Sequence, residues 1–168
     1  MDVMQAIKGR RSIRLYSSKE VEDDNLKMVL EAGRLAPSAA NMQDWRFIVV
    51  KDESTRKRLA DAAGGQKFVG TAPVVLVGCG TVEREMHCGQ LTYPIDVSIA
   101  MSFMILEAYE LGLGTCWLGH FNESEVKKIL GIPEQIRVVA MTPLGYPSEN
   151  PEQRPRKKLS EFASLETY

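Results

Sequence analysis

The chain has 168 residues, enough for one domain that buries roughly 70% of its extended-chain surface. With 21 basic residues against 22 acidic ones it is near neutral, which excludes the strongly basic field that a general nucleic-acid binder needs. Three cysteines at irregular spacing do not make a disulfide framework, the N-terminus has no basic-then-apolar leader pattern, and no run approaches about 18 uninterrupted apolar residues, so a cytoplasmic protein with no membrane span is expected.

Asp2 can cap a short helix with Val3, Ala6 and Ile7 inward. Arg10-Arg11-Ser12-Ile13-Arg14 follows, three guanidiniums and a hydroxyl in five residues. Guanidiniums this close repel unless an anion lies between them, so the run is either a solvated basic turn or an anion clamp. Other basic clusters stand at Arg56-Lys57-Arg58 and from Arg154 to Lys158, and local clusters on a neutral chain suit a small anionic ligand better than a polymer.

Ile13 and Tyr16 suggest a short extended piece. Glu22, Asp23 and Asp24 then open a helix, where negative charge is favourable against the helix dipole. Its apolar face is Leu26, Val29, Leu30 and Gly33, and Ala36-Pro37 ends it. A loop runs from Pro37 to Trp45, then a buried strand from Arg46 to Lys51. Asp52 or Ser54 can cap a helix over Thr55 to Ala63, stopped by Gly64-Gly65, and Pro73 to Cys79 is a second buried strand. One helix between two buried strands suits a parallel pair.

Residues 78–93 read as polar loop. The longest helix opens at Asp96 and runs to about Leu111, with Ile99, Ala100, Phe103, Met104, Ile105, Leu106 and Ala108 leaving no polar face in its middle turns. Such a helix must be buried all round, in the domain centre, at a subunit interface, or both. Thr115 to Leu118 resumes as a strand, Asn122 with Glu125 frames a helix to Leu130, and Arg137 to Leu144 is the last strand. The polar tail from Gly145 to Tyr168 is either disordered or laid across another subunit. The whole is α+β or α/β, with about four central strands and helices on both faces.

Several motifs carry no chemistry here. Gly112-x-Gly114 follows a helix instead of a strand and Trp117 stands at the third glycine position, against a dinucleotide fingerprint. Cys79, His87, Cys88 and His120 lack metal-ligand spacing, so no metal is expected. There is no Gly-x-Ser-x-Gly elbow, and Cys116 lies within a strand, away from any activating helix N-terminus.

The ordered combination is more specific than its parts. The arginine run, Ala36-Pro37-Ser38-Ala39-Ala40-Asn41-Met42-Gln43-Asp44-Trp45, Ala72-Pro73, Gly112-Leu113-Gly114-Thr115-Cys116-Trp117-Leu118-Gly119, and Gly145-Tyr146-Pro147 before a basic tail closely resemble the FMN-dependent nitroreductase family, from about Val3 to Glu161. The resemblance implies one α+β, three-layer domain spanning the chain, with a mostly antiparallel or mixed sheet of four to five strands. It also implies a homodimer with the long helix at its interface, two FMN sites there, and residues 147–168 as a tail packing on the partner.

The resemblance further implies site roles. Arg10 and Ser12, with Arg11 beside them, fall on the phosphate side, and Arg14 nearer the ribityl chain and ring edge. Arg156 matches a basic phosphate ligand, with Arg154, Lys157 and Lys158 as neighbours. Pro37, Ser38, Ala39 and Asn41 match a loop reaching the flavin from the partner subunit, while Gln43 and Trp45 hold that loop in shape. Leu118 and Gly119 match a segment beside the isoalloxazine, where a backbone N–H can point at N5. Lys67 matches a lysine favouring negative charge near N1 and O2, which tunes the flavin. No catalytic side chain is implied, because the flavin carries ping-pong hydride transfer from NADH or NADPH to nitroaromatics, quinones or similar acceptors. The segment between Gly80 and Ile95 is shorter than in larger members, which opens two alternatives: reduction by a ferredoxin-like protein, or a non-enzymic FMN-binding module. Met86, His87, Cys88 and Tyr93 are the residues there that could form a partial lid.

Overall fold

The computed structural model describes residues 2–168. Helix α1 (Val3–Gly9) opens on a capping box in which the Asp2 carboxylate accepts from the Gln5 amide and the Gln5 side chain accepts from the Asp2 amide. Helix α2 (Asp23–Arg34) buries Leu26, Val29 and Gly33, as its periodicity predicts. Then come β1 (Trp45–Val50), α3 (Glu53–Ala62), α4 (Lys67–Thr71), β2 (Val74–Gly80) and α5 (Thr92–Glu110). The chain finishes with β3 (Gly114–Thr115), α6 (Glu123–Leu130), β4 (Arg137–Gly145) and α7 (Leu159–Phe162).

The four strands form one sheet in the order β1-β2-β4-β3, and every pair is antiparallel. The parallel pairing of the first two strands suggested by their helical connection is therefore corrected. The connection is a pair of helices: α3 ends at Gly64-Gly65, whose φ of 70° and 76° allow a left-handed reversal, and α4 packs back on α3 with Gly70 against the Lys57 backbone. A single helix carries a chain to the far end of a sheet; a folded-back pair returns it to the near end, so Val50 stands opposite Val75.

Three layers result. On β2, Val75, Val77 and Cys79 face a core shared with α3, α4 and α6, and Val74 and Leu76 face one shared with α2 and α5. This two-residue alternation places fully buried side chains on both faces, each contributing about 1.5–3 kcal/mol of transfer free energy. Helix α5 lies close to the sheet because Gly78 has no side chain; a Cβ there would come within 2.7 Å of Val97.

Some elements differ from expectation. Helix α5 begins at Thr92, four residues before Asp96; Pro94 falls in its first turn, where no amide partner is needed, and Asp96 is buried inside it. Nor is α5 buried all round within one chain. Ile95, Ile99, Phe103 and Leu106 form a stripe in which Phe103 is 41% exposed. Val3 and Ile7 do not point inward: they are 72% and 49% exposed, Val3 beside Phe103 and Leu106 of that stripe, and so short a helix buries only Ala6. The strand expected over 115–118 is two residues, Gly114–Thr115, with one further bridge from Leu118 to Met141. The expected loop at 78–93 shrinks to 81–91 and holds a bridged turn between Glu85 and Leu91. Beyond Pro151 the tail is exposed, α7 included. No helix among the described residues is long and apolar enough to cross a membrane.

Candidate functional site

The arginine run leaves α1 in extended backbone and lies along the edge of β3, with Ser12 bridged to Thr115 and the Ile13 amide donating to the Thr115 carbonyl at 2.8 Å. Extended backbone alternates its side chains. Ile13 is buried, and Ser12 and Arg14 project from the other side toward Arg10. Arg11 is turned back. Its Nη1 donates to the carbonyls of Lys8, Gly9 and Arg10 at 2.8, 2.7 and 3.0 Å, a cationic cap on the α1 C-terminus, and its buried Nε makes no hydrogen bond. Arg11 thus fixes the turn that presents Arg10 and Ser12. The Glu149 carboxylate accepts from the Arg14 and Leu15 amides and ties this arm to the start of the tail.

The tail closes a cleft of about 250 Å³ over the run. Lys8, Arg10, Arg11, Arg14, Arg154 and Arg156 line it, with Ser12, and Glu152 is its one carboxylate. Among the described residues, none of these six cations is in an ion pair. Elsewhere Lys19, Arg34, Lys51, Lys57 and Arg137 each hold a carboxylate at 2.6–3.0 Å. Arg11 is engaged with the α1 carbonyls; the other five cations around one space, with a hydroxyl and backbone between them, fit a phosphate dianion better than any group of the chain itself.

The neighbouring wall comes from α4 and the segment after β3. The Arg14 guanidinium lies over the Phe68 ring, 5.8 Å from its centroid. Lys67, exposed and without an ion pair among the described residues, precedes Phe68. Gln66 donates to the Ala63 and His120 carbonyls at 2.8 and 3.4 Å, linking α4 to Gly119-His120. Leu118 cannot offer its amide to a ligand, because that N–H donates to the Met141 carbonyl at 2.8 Å. The Gly119 amide makes no hydrogen bond among the described residues and is the free donor of the pair. A wider cleft of about 820 Å³ opens beside it, bordered by Gly119, His120 and Phe121. The Cys116 thiol, beside Ser12, is pushed up by burial, so it is no ready nucleophile.

Pro37, Ser38, Ala39 and Asn41 lie elsewhere. Their loop is a single 3-10 turn, Ala39–Asn41, with Ala40, Asn41 and Gln43 at φ of 48°, 55° and 56°. The Gln43 amide donates to the Ser38 hydroxyl at 3.1 Å, and its side chain donates to the Asn41 carbonyl and Oδ1 at 3.2 and 3.3 Å, the shaping role expected of Gln43. The Trp45 amide donates to the Gln43 carbonyl at 2.8 Å, so Trp45 closes the turn through its backbone. The loop is anchored to α5 at Asp96, whereas the arginine run meets α5 at Tyr109, against which Gly9 packs. Those anchors are thirteen residues apart on one helix, about 20 Å. One chain does not bring the two motifs together.

Sequence reasoning missed Lys8, Gln66, Phe68 and Glu149. Lys8 could have been found from its place in the last turn of α1, two residues before the run. Glu149 acts through an acceptor bond to backbone 135 residues away and leaves no local signal.

Comparison with known proteins identifies the family. The model of the nitroreductase family matches residues 7–92 and 63–146, and the chain belongs to that family. An NADH dehydrogenase of Thermus thermophilus is 32% identical over 183 aligned residues, which cover 89% of this chain and 88% of the relative. A nitroreductase family protein of Clostridium difficile superposes with a TM-score of 0.90 at 31% identity, covering 100% of both chains. The NADPH:FMN oxidoreductase of Vibrio harveyi, solved in complex with NAD+, superposes with a TM-score of 0.91 at 28% identity, covering 99% of this chain and 77% of that one.

Proposed function

We propose that this protein is an FMN-dependent oxidoreductase that takes reducing equivalents from NADH or NADPH, and that it works as a homodimer with one cofactor site at each end of a shared interface. The unpaired cationic cleft carries the reading. Arg10, Ser12, Arg14 and Arg156 would hold the FMN phosphate, Arg11 would stiffen the turn beneath them, and the free Gly119 amide would face the N5 edge of the ring. Lys67, between Arg14 and Gly119, would favour negative charge on the ring.

The pairing is supported by the two ends of α5. Stacking two α5 helices antiparallel about a two-fold axis would cover the stripe of Ile95, Ile99, Phe103 and Leu106 and bring the Asp96 end of one over the Tyr109 end of the other. Pro37, Ser38, Ala39 and Asn41 of one protomer would then complete the cleft of its partner. The exposed tail would lie across that partner through Leu159, Phe162 and Leu165. Bound there, the flavin would supply reversible two-electron chemistry between a reduced nicotinamide and a small electron-poor acceptor such as a quinone or nitroaromatic. The chain contributes binding, orientation and electrostatics, which agrees with the lack of an activated nucleophile.

Anaerobic addition of NADH or NADPH to the flavin-loaded protein is expected to bleach the flavin absorbance within minutes, and a quinone to restore it. Colour retained with both nucleotides but lost with a reduced iron–sulfur protein would transfer the donor role to a protein partner. Tight FMN binding with no turnover on any quinone or nitro compound would leave only a flavin-binding module.

A further inference from the structure

Asp96, in the second turn of the apolar α5, is the one carboxylate that helix buries, at 3% exposure, and among the described residues no cation pairs with it. Burying an anion without a counter-charge is costly, so what it touches is informative. Its two oxygens lie 3.2 and 3.3 Å from a single donor, the amide of Ala39. The hydroxyl of Thr92, one turn away on the same helix, is buried and makes no hydrogen bond, so it does not relieve the charge. The Ala39 amide opens the left-handed turn through Ala40 and Asn41, a conformation residues with a Cβ adopt only when their surroundings enforce it. The turn's other side-chain hydrogen bonds, from Gln43 to Ser38 and Asn41, are internal to the loop. Among the side-chain bonds of the described residues, only Asp96 fixes the turn to the helix.

We propose that Asp96 is a positioning residue for the cofactor: its buried carboxylate holds the Ala39 amide and thereby sets the turn that presents Asn41 to the partner's cleft. This rests on the two-fold pairing described above. Asp96 touches neither cleft of its own chain and acts only through the loop. Its energy is spent on orientation at a distance, which explains a charge kept in a helix that packing alone would make apolar.

Two substitutions reach the same bond from opposite sides. Asp96→Ala removes the acceptor. Ala39→Pro removes the donor with little disturbance, because Ala39 is the first residue of its turn and Ser38 before it is extended, both compatible with proline. Each is expected to weaken FMN binding roughly tenfold to a hundredfold and to change the visible circular dichroism of bound flavin, with the apo-protein still folded and dimeric. The double variant should be no worse than either single one, and Asp96→Asn, which keeps one acceptor oxygen, should restore most of the affinity. Wild-type affinity and an unchanged flavin spectrum in both single variants would overturn the proposal, as would fully additive losses.

A mixed dimer of an Asp96→Ala chain with an Arg10→Ala chain separates this idea from the pairing beneath it. If the loop acts across the interface, one of the two sites is wholly wild-type and half an equivalent of FMN per chain binds with wild-type affinity. If the single variants lose affinity but the mixed dimer has no wild-type site, the loop serves its own chain and the cross-subunit reading fails.

Discussion

Arg10 is legible in the sequence as a charge and in the structure as a charge with no carboxylate partner among the described residues. Substituting Arg10→Ala removes one charge-assisted contact, and FMN affinity measured by quenching of flavin fluorescence is expected to fall about tenfold or more at low salt. The deficit should narrow as ionic strength rises, because salt already weakens the wild-type clamp. Unchanged affinity would relocate the anion. The neighbouring Arg11 shows the limit of composition: three arginines in five residues look equivalent on paper. Extended backbone sends alternate ones to opposite sides, and Arg11 meets the carbonyls that end α1 while Arg10 and Arg14 face the cleft.

Among elements, α5 is the most visible in the sequence. Its apolar middle predicts a helix buried in the domain centre, at a subunit interface or both, and hydropathy, which has no term for what does the burying, cannot separate the face packed on the core from the exposed stripe. Phe103→Asp at the centre of that stripe is expected to shift the protein from two chains to one by light scattering and to lose FMN in parallel, with the monomer's helical content retained. A dimer that survives the aspartate would place the interface elsewhere. Other elements were lost for identifiable reasons. Helix α4, five residues long, is too short to show a period, and missing it turned an antiparallel pair into a parallel one. The start of α5 has no side-chain cap, so the eye settles on Asp96, whose carboxylate is engaged elsewhere. Where local chemistry closes an element the reading is closer: Asn122 caps α6 as expected, and Asp52, one of two cap candidates, opens α3 at Glu53, two residues before the expected start.

At the scale of the whole molecule, the sheet and the cores on its two faces are packed within one chain, whereas the tail stays exposed. Phe162 is 81% exposed and nothing beyond Pro151 enters a core. Truncation after Glu149 is therefore expected to move the melting temperature of the apo-protein by no more than about 2 °C while sharply weakening FMN binding, since Arg154 and Arg156 leave with the tail. A large loss of apo-protein stability would show that the tail is part of the fold. The family could be recognised from motif order alone. The separation of those motifs in space could not, because their anchors at opposite ends of α5 are tertiary contacts that leave no local pattern.

The 20 Å between the Asp96 and Tyr109 ends of α5 has a thermodynamic consequence. If each binding site is divided between two molecules, as proposed, mass action couples occupancy to dilution: lowering protein concentration toward the dissociation constant of the pair should release cofactor, and added cofactor should hold the pair together by the same factor. Colour in a dilute solution of this protein would then serve as a gauge of how many chains have found each other.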